Sequence, residues 1–445
     1  MLTKVIQYKS NTITSYLIAF AIGIIIGFRA FPEFVGFLYV VLAVVCIYLA
    51  FQSNTGLLFS IIPYLIYTEM FIRVFAHTVP YLFMQYFLLA VFTILIFRNQ
   101  SRVKMHSRGF IFLFFFIIIE FVNGVRSQNP DIARGLLINT FVLALAVMWA
   151  SFNFLSPVVV NRILNNIKYA AIYLCGIVLA RYLMGDVEFR ASSGSEGTNG
   201  LAPVQLSGYL GFASVVFFFS IMNNREKRSL LLNLILFSLT LIIMLLSFSR
   251  GGIYFVGVIM CLYFLFNWNS FKNYFLFLLL APCALLAYYY VKEKTHGLIE
   301  QRYEQQGSSG RDQLVRAGII LFKEDPLVGI GPGNFNTTVT DKNLYFTESG
   351  VHDEFVRVAA EDGILGIATY WSFFIVSFIQ IVKRTKIKRE YGIYFLVFFC
   401  LIAVHNGLKI SIQPFLVMLA IATPDVFKIK RKVNVSFRTN SALAN

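Results

Sequence analysis

Four side chains able to do polar chemistry stand out in an apolar sequence of 445 residues: Arg190, Arg250, Arg311 and His352. Arg250 lies in the stretch SFSRGG between two apolar runs. A lipid-facing arginine at the bilayer centre would cost about 2.5–3.5 kcal/mol. An arginine fork matches two oxygens of a phosphate, and a histidine can take a proton near neutral pH. These residue types predict a site for a phosphate-bearing substrate beside a base.

A long polar segment at about 292–356 carries part of this set. Ser309 and Asp312 have the spacing of a capping box, which predicts an amphipathic helix on or against the membrane. Asp325-Pro326 should end that helix. The glycine-rich stretch GIGPG at 329–333 is either a plain turn or an anion-binding nest of backbone N–H groups.

The next apolar helix begins near His352 and carries two further charged candidates. Arg357 and Glu361 are four residues apart, so they face each other on a helix and can form an ion pair. We assign both to substrate binding. His352 is either the base or an interfacial histidine without a role. The histidine and carboxylate spacing predicts no zinc site, and we expect neither metal nor cofactor.

The composition indicates a membrane protein. Hydrophobic residues make up 58% of the chain and charged residues 13%, against about 25% in a typical soluble domain. Apolar runs of the length that crosses a bilayer recur from Ile13 to Thr423. We therefore predict an all-α, polytopic integral membrane protein of one domain (1–445), with about 12–14 transmembrane helices.

The positions of the basic residues predict the topology. Fourteen apolar segments are predicted, at 12–31, 34–51, 56–76, 79–97, 108–123, 134–152, 167–185, 203–222, 229–248, 252–267, 273–291, 357–382, 391–407 and 410–424. With this count all the large basic clusters fall on one side of the membrane. By the positive-inside rule that side is cytoplasmic, and both termini lie on it. The net charge of +16 is then an orientation signal, not a sign of nucleic-acid binding. The outer face receives the loop 186–203, the turn at Arg250, whose glycines would supply positive φ angles, and the segment 292–356.

Three ordered motifs resemble the O-antigen ligase and O-antigen polymerase superfamily. They are SFSRGG, the block GR-x(14)-P-L-x-G-x-G-P-G-N-F, and H-D-x-F-x(5)-E-x-G-x-x-G. The similarity is strongest from about Arg190 to Gly366. Where members of the family often have asparagine after the histidine, this chain has Asp353.

The resemblance implies a glycosyltransferase of the bacterial inner membrane with an outward-facing site. Such enzymes take a glycan from undecaprenyl pyrophosphate and transfer it to an acceptor glycan or lipid, without a metal. It implies that Arg190, Arg250 and Arg311 bind the pyrophosphate, that Arg250 and Arg311 also serve catalysis, and that His352 is the base. Other polysaccharide-assembly proteins are candidate partners.

Three functions stay open on the sequence. We favour a polymerase that joins repeat units, because no appended acceptor-binding domain is evident. A ligase that moves the glycan to lipid A or to a protein has the same motifs. A lipid-glycan flippase is the alternative from another class. Against it, the charged residues concentrate at the outer face and not near the membrane centre, where transporters bind substrate. The intramembrane exceptions Glu69 and Arg73 are four residues apart and can neutralise each other.

Overall fold

The computed structural model describes residues 12–28, 32–75, 79–80, 82–98, 105, 107–186, 203–223, 227–266, 271–304, 310–345, 353–384, 390–405 and 411–422. Within this part of the chain the structure consists of α-helices, with one short 3₁₀ helix and no strands. The all-α prediction is confirmed.

Seventeen α-helices lie in the described residues. In chain order they are α1 Thr12–Gly27, α2 Pro32–Phe51, α3 Thr55–Phe75, α4 Phe83–Arg98, α5 Gly109–Asn123, α6 Pro130–Phe152, α7 Pro157–Leu183, α8 Pro203–Asn223, α9 Lys227–Leu246, α10 Arg250–Phe266, α11 Phe271–Lys294, α12 Leu298–Glu304, α13 Arg311–Glu324, α14 Phe335–Asp341, α15 Glu354–Arg384, α16 Glu390–His405 and α17 Ile412–Ala422.

Fourteen of these helices coincide with the fourteen predicted apolar segments. Among the described residues nine are long and apolar enough to cross a membrane, and five apolar helices are shorter. The polytopic architecture is thereby confirmed. The largest boundary error is at α7, which begins at Pro157, ten residues before the prediction. Arg162 and Lys168 consequently lie inside α7 and not in a loop, and the Lys168 ammonium donates a hydrogen bond to Ser220.

Proline marks the start of several spans. Pro130 and Pro157 occupy the first turns of α6 and α7, where the missing N–H costs no hydrogen bond. Pro32 and Pro203 are the first residues of α2 and α8. Before α7, the Ser156 hydroxyl accepts a hydrogen bond from the Val159 N–H and caps the helix.

The spans pack closely where small residues meet. A Cβ added to Gly23 of α1 would overlap the Tyr173 carbonyl of α7, and one added to Gly176 would lie 3.0 Å from the Ile24 nitrogen. Close backbone approach through small residues is the usual way in which membrane helices associate. Large apolar side chains that face outward, such as Phe37, Phe121 and Leu286, supply the surface that lipid covers.

Cross-helix contacts bring several helix termini to one end of the bundle. The Arg73 guanidinium at the end of α3 donates to the Gln205 amide oxygen at the start of α8. Near the start of α8, the Ser207 hydroxyl donates to the Ser249 carbonyl, just before α10. We call this end of the bundle, where α3 and α9 end and α8 and α10 begin, the arginine end.

Candidate functional site

Arg250 is the first residue of α10, at the arginine end. The helix before it, α9, ends at Leu246, and the chain turns at Phe248, whose φ is +53°. The prediction that the glycines supply the positive φ is wrong: the left-handed residue is Phe248, while Gly251 and Gly252 are helical and buried. Arg250 itself is half-buried.

Gly252 fixes α10 against α8. Its N–H donates a 3.0 Å hydrogen bond to the Ser207 hydroxyl. A Cβ at this position would overlap the hydroxyl and the carbonyl oxygen of Ser207 and would lie 2.8 Å from the Met244 sulfur. The second glycine of SRGG therefore permits the close helix crossing that sets the position of Arg250, two residues earlier.

Arg311 is the first residue of the predicted amphipathic helix, α13. The residue that precedes this helix is Gly310, in the left-handed conformation with φ +75° and no side-chain cap. The N-cap residue is thus Gly310, which has no side chain to form the predicted capping box, and Ser309 lies outside the described residues. The helix ends at Glu324, which confirms the stop at Asp325-Pro326.

Arg250 and Arg311 lie near enough for the positive charge of one to act on the other, although 61 positions separate them in the sequence. Burial lowers the pKa of Arg311, and the nearby positive charge of Arg250 lowers it further. Tyr254, one turn after Arg250 in α10, has the opposite effect and raises the pKa of Arg311. Within the described residues no carboxylate forms an ion pair with Arg311. Two half-buried cations so placed favour an anionic ligand.

α13 lies against α15. Its buried residues Leu314, Ala317 and Leu321 face that helix, and a Cβ on Gly318 would overlap the Val356 side chain. On the opposite side Ile319 is 46% exposed. The helix is therefore amphipathic as predicted, but its buried apolar face packs on protein, and only the smaller outward apolar patch is left for a membrane surface.

The glycine-rich stretch is a docking turn. The N–H groups of Ile330 and Gly331 donate to the carbonyl oxygens of Ala360 and Glu361 in α15. Gly329 and Gly363 have φ of +72° and +62°, and each approaches the other segment too closely for a side chain. These N–H groups are occupied by protein acceptors, so the geometry favours the plain turn over the anion nest.

Arg357 lies at the centre of a buried ion cluster, the Arg357 cluster, formed with Glu120, Glu354 and Glu361. Its guanidinium donates to Glu361 at 2.5 Å, to Glu354 at 2.6 Å and to Glu120 at 3.3 Å. The predicted pairing of Arg357 with Glu361 is confirmed. The other oxygen of Glu361 accepts the Phe335 N–H, at the start of α14. Their assignment to substrate binding stays a prediction, and these contacts favour a positioning role instead.

Asp353 caps α15. Its Oδ1 accepts hydrogen bonds from the N–H groups of Phe355 at 2.8 Å and Val356 at 3.2 Å. Burial raises the pKa of Asp353, although these two backbone donors oppose that shift. Asparagine and aspartate serve equally well as helix N-caps, which explains how this chain can carry Asp353 where similar proteins have asparagine.

Two predicted site residues, His352 and Arg190, lie outside the described residues. The loop 186–203 is described only at its two ends. The long polar segment begins later than predicted, because α11 continues to Lys294. It also contains two short helices, α12 and α14, that no sequence pattern predicted.

Sequence reasoning missed the residues that tie the glycine turn to the bundle. Arg126 donates to the Gly329 carbonyl and to Asp325, both at 2.6 Å. Asn123 donates to the Val328 carbonyl at 2.8 Å. These partners are about 200 positions away in the sequence, so no local spacing could reveal them. Among the described residues no three histidine, cysteine, aspartate or glutamate side chains are placed to hold a metal ion.

Comparison with known proteins identifies a family that part of the chain resembles. Residues 235–371 match the model of the O-antigen ligase family. That segment includes Arg250, Arg311, His352 and the α15 part of the Arg357 cluster, and it excludes Arg190. A search of curated protein sequences gives no match. The chain is therefore a multi-pass membrane protein with an O-antigen ligase family domain at residues 235–371, which confirms its resemblance to the O-antigen ligase and polymerase superfamily.

Proposed function

We propose that this protein transfers a glycan from undecaprenyl pyrophosphate to an acceptor glycan, as a polysaccharide polymerase. The observation that carries the proposal is the approach of Arg250 and Arg311 at the arginine end, inside the segment that matches the O-antigen ligase family. Two guanidinia near each other suit the oxygens of a pyrophosphate, which bears charge on both phosphorus centres.

The reaction exchanges one bond to the anomeric carbon for another. The bond from that carbon to the pyrophosphate oxygen breaks, and its electron pair leaves with the lipid pyrophosphate. The acceptor hydroxyl oxygen forms the new glycosidic bond, and its proton passes to His352 as the general base. Arg250 and Arg311 stabilise the charge that develops on the leaving group, which is the task for which a cofactor or metal would otherwise be needed.

The Arg357 cluster supports the site without touching substrate in this scheme. Glu361 links Arg357 to the first N–H of α14, and the glycine turn docks on α15. α13, which begins with Arg311, packs on the same helix. Arg357 and Glu361 are therefore positioning residues that hold Arg311 in place, and Arg190 is proposed as a further pyrophosphate ligand.

We further propose that the arginine end faces outward across a bacterial inner membrane, with both termini cytoplasmic. The basic residues that end α4 and begin α9, Arg98 and Lys227, lie at the opposite end of their helices. A membrane-impermeant thiol reagent should label Ser308→Cys from the outer side. Protection of this cysteine in cells with a permeabilised outer layer, and its labelling only after lysis, would contradict the orientation.

The surface glycan of cells that lack the protein tests the proposed reaction. A polymerase defect leaves single repeat units on the normal acceptor. Long chains retained on undecaprenyl pyrophosphate would instead identify a ligase, the second candidate. Normal glycan chains in normal amount on the acceptor would contradict both.

A further inference from the structure

A cavity lined by charged, amide and apolar side chains opens at the arginine end, between the end of α3 and the starts of α4 and α6. Its volume is about 390 Å³, within the range of small-molecule sites. It is lined by Arg73, Leu82, Gln85, Asp131, Ile132, Arg134, Gly135, Leu136 and Asn139. None of these residues lies in the segment that matches the O-antigen ligase family.

Two amide side chains, Gln85 and Asn139, line this cavity. The Gln85 side chain is 4% exposed, and its amide oxygen has no hydrogen-bond partner in the described part of the chain. Asn139 is 7% exposed, and within the same residues its amide makes no hydrogen bond. The Gln85 amide nitrogen and the Asn139 amide are open to solvent, so hydroxyl groups of a ligand can take the place of water there.

The charges of the cavity balance. The Arg73 guanidinium lies 3.7 Å from the Glu69 carboxylate, and Arg134 pairs with Asp131 at 2.8 Å. Each arginine thus has its own acidic neighbour. A neutral, hydroxylated ligand fits this balance better than a phosphate does, because an anion would have to compete with the carboxylates.

The cavity is connected to the pyrophosphate site from two sides. Arg73 donates to Gln205 near the start of α8, the helix on which the Gly252 N–H is anchored. A Cβ on Gly333 of the glycine turn would lie 3.1 Å from the Ala133 nitrogen and 3.3 Å from Ile132, which lines the cavity. The cavity therefore lies at the same end of the bundle as Arg250 and Arg311, where further sugars of a bound glycan can reach it.

We propose that this cavity binds a neutral sugar residue of the glycan substrate. Gln85, Asn139 and the outer atoms of Asp131 and Arg134 bind its hydroxyl groups, and Ile132 and Leu136 contact its carbon face. Amide, carboxylate and guanidinium groups provide both donors and acceptors for vicinal hydroxyls. That the sugar belongs to the transferred or accepting glycan rests on the function proposed above.

Gly135 offers a way to fill the cavity. It lines the cavity in α6, and a Cβ added there would meet no atom within 4 Å. Gly135→Trp therefore occupies the space of the ligand without displacing protein atoms near the backbone. Gly257 of α10 has the same open surroundings, but it is exposed on the bundle surface. Gly257→Trp is the control of equal size.

The test is calorimetric titration of the full chain in lipid nanodiscs with short oligosaccharides cut from the host's own surface polysaccharide. Wild type and Gly257→Trp should bind with equal affinity. Gly135→Trp and Gln85→Leu should bind at least about 10-fold more weakly, without a loss of thermal stability. Gln85→Leu provides the answer if Gly135→Trp fails to fold. Equal affinity in all folded variants, or no binding to wild type at millimolar concentration, would overturn the proposal.

Transfer assays on the same variants identify the source of the sugar. A rise of about 10-fold in the KM for the acceptor assigns the cavity to the acceptor glycan, and a rise in the KM for the donor assigns it to the transferred glycan. Suppose that Gly135→Trp weakens oligosaccharide binding but that the wild-type chain uses no pyrophosphate donor. This result would support the sugar site and reject the proposed reaction. Transfer that depends on Arg250 but is unchanged in Gly135→Trp would support the proposed reaction and reject the sugar site.

Discussion

The backbone N–H of Gly252 donates a 3.0 Å hydrogen bond to the Ser207 hydroxyl, and this contact fixes the helix that begins with Arg250. Gly252→Ala would place a methyl group on backbone atoms of Ser207, which cannot move without shifting α8. We expect a loss of about 1–3 kcal/mol of stability, typical of overpacking, together with reduced transfer.

Gly257→Ala is the matched control for this prediction, because it lies on the same helix and its Cβ would meet nothing within 4 Å. Thermal unfolding in detergent and a glycan transfer assay on both variants provide the comparison. Equal stability and activity of the two alanine variants would show that the Gly252 contact is dispensable.

Arg357→Leu should strongly destabilise the fold. It removes the cation shared by the buried carboxylates of Glu120, Glu354 and Glu361. Breaking a buried pair in this way costs about 3–5 kcal/mol. The exposed pair of Lys342 and Glu324 provides the comparison, since Lys342→Leu should cost no more than about 1 kcal/mol. Similar unfolding temperatures for the two variants would contradict the structural importance of the cluster.

Two variants of Asp353 distinguish its capping function from the effect of its charge. Asp353→Asn keeps an oxygen that can accept from the Phe355 and Val356 N–H groups, whereas Asp353→Ala removes it. We expect the alanine variant to lose about 0.5–2 kcal/mol and the asparagine variant to remain close to wild type. The measurement is thermal unfolding with parallel turnover. A large loss of turnover in a stable Asp353→Asn protein would instead assign the carboxylate a chemical role.

The fold follows from the sequence to the extent that local patterns determine it. Apolar runs locate the fourteen apolar helices of the described residues, and the spacing of Arg357 and Glu361 predicts their ion pair, because both depend on neighbours along one helix. The third partner, Glu120, is 237 positions from Arg357, and only tertiary packing brings it there.

The local geometry of the site was harder to predict for the same reason. Phe248 takes the positive φ that we expected of the glycines, because Gly252 is required for the crossing with α8. The cavity at Gln85 joins three helices whose polar residues form no sequence motif. The arginine pair itself was predicted by residue type, while its proximity depends on α13 packing against α15.

His352 and Arg311 should give different kinetic defects. If His352 is the base, His352→Ala lowers turnover by about 10²–10⁴-fold and leaves donor binding nearly unchanged. Arg311→Ala should weaken donor binding as well as turnover, because we propose that this guanidinium binds the pyrophosphate. Equilibrium binding of the lipid donor and single-turnover rates separate the two effects. A His352→Ala protein that loses donor binding but keeps its rate at saturation would make the histidine a pyrophosphate ligand.

We propose that Arg250 binds the leaving pyrophosphate. Single-turnover transfer tests this role most directly, measured with the purified chain in nanodiscs and an undecaprenyl pyrophosphate-linked glycan. Removal of one electrostatic stabiliser costs about 10²–10³-fold in rate, so Arg250→Ala should fall in that range. Arg250→Lys should also be clearly impaired, because it keeps the charge but not the planar fork. Arg162→Lys, exposed near the start of α7, should match wild type. Wild-type rates in folded Arg250→Lys and Arg250→Ala proteins would contradict the account.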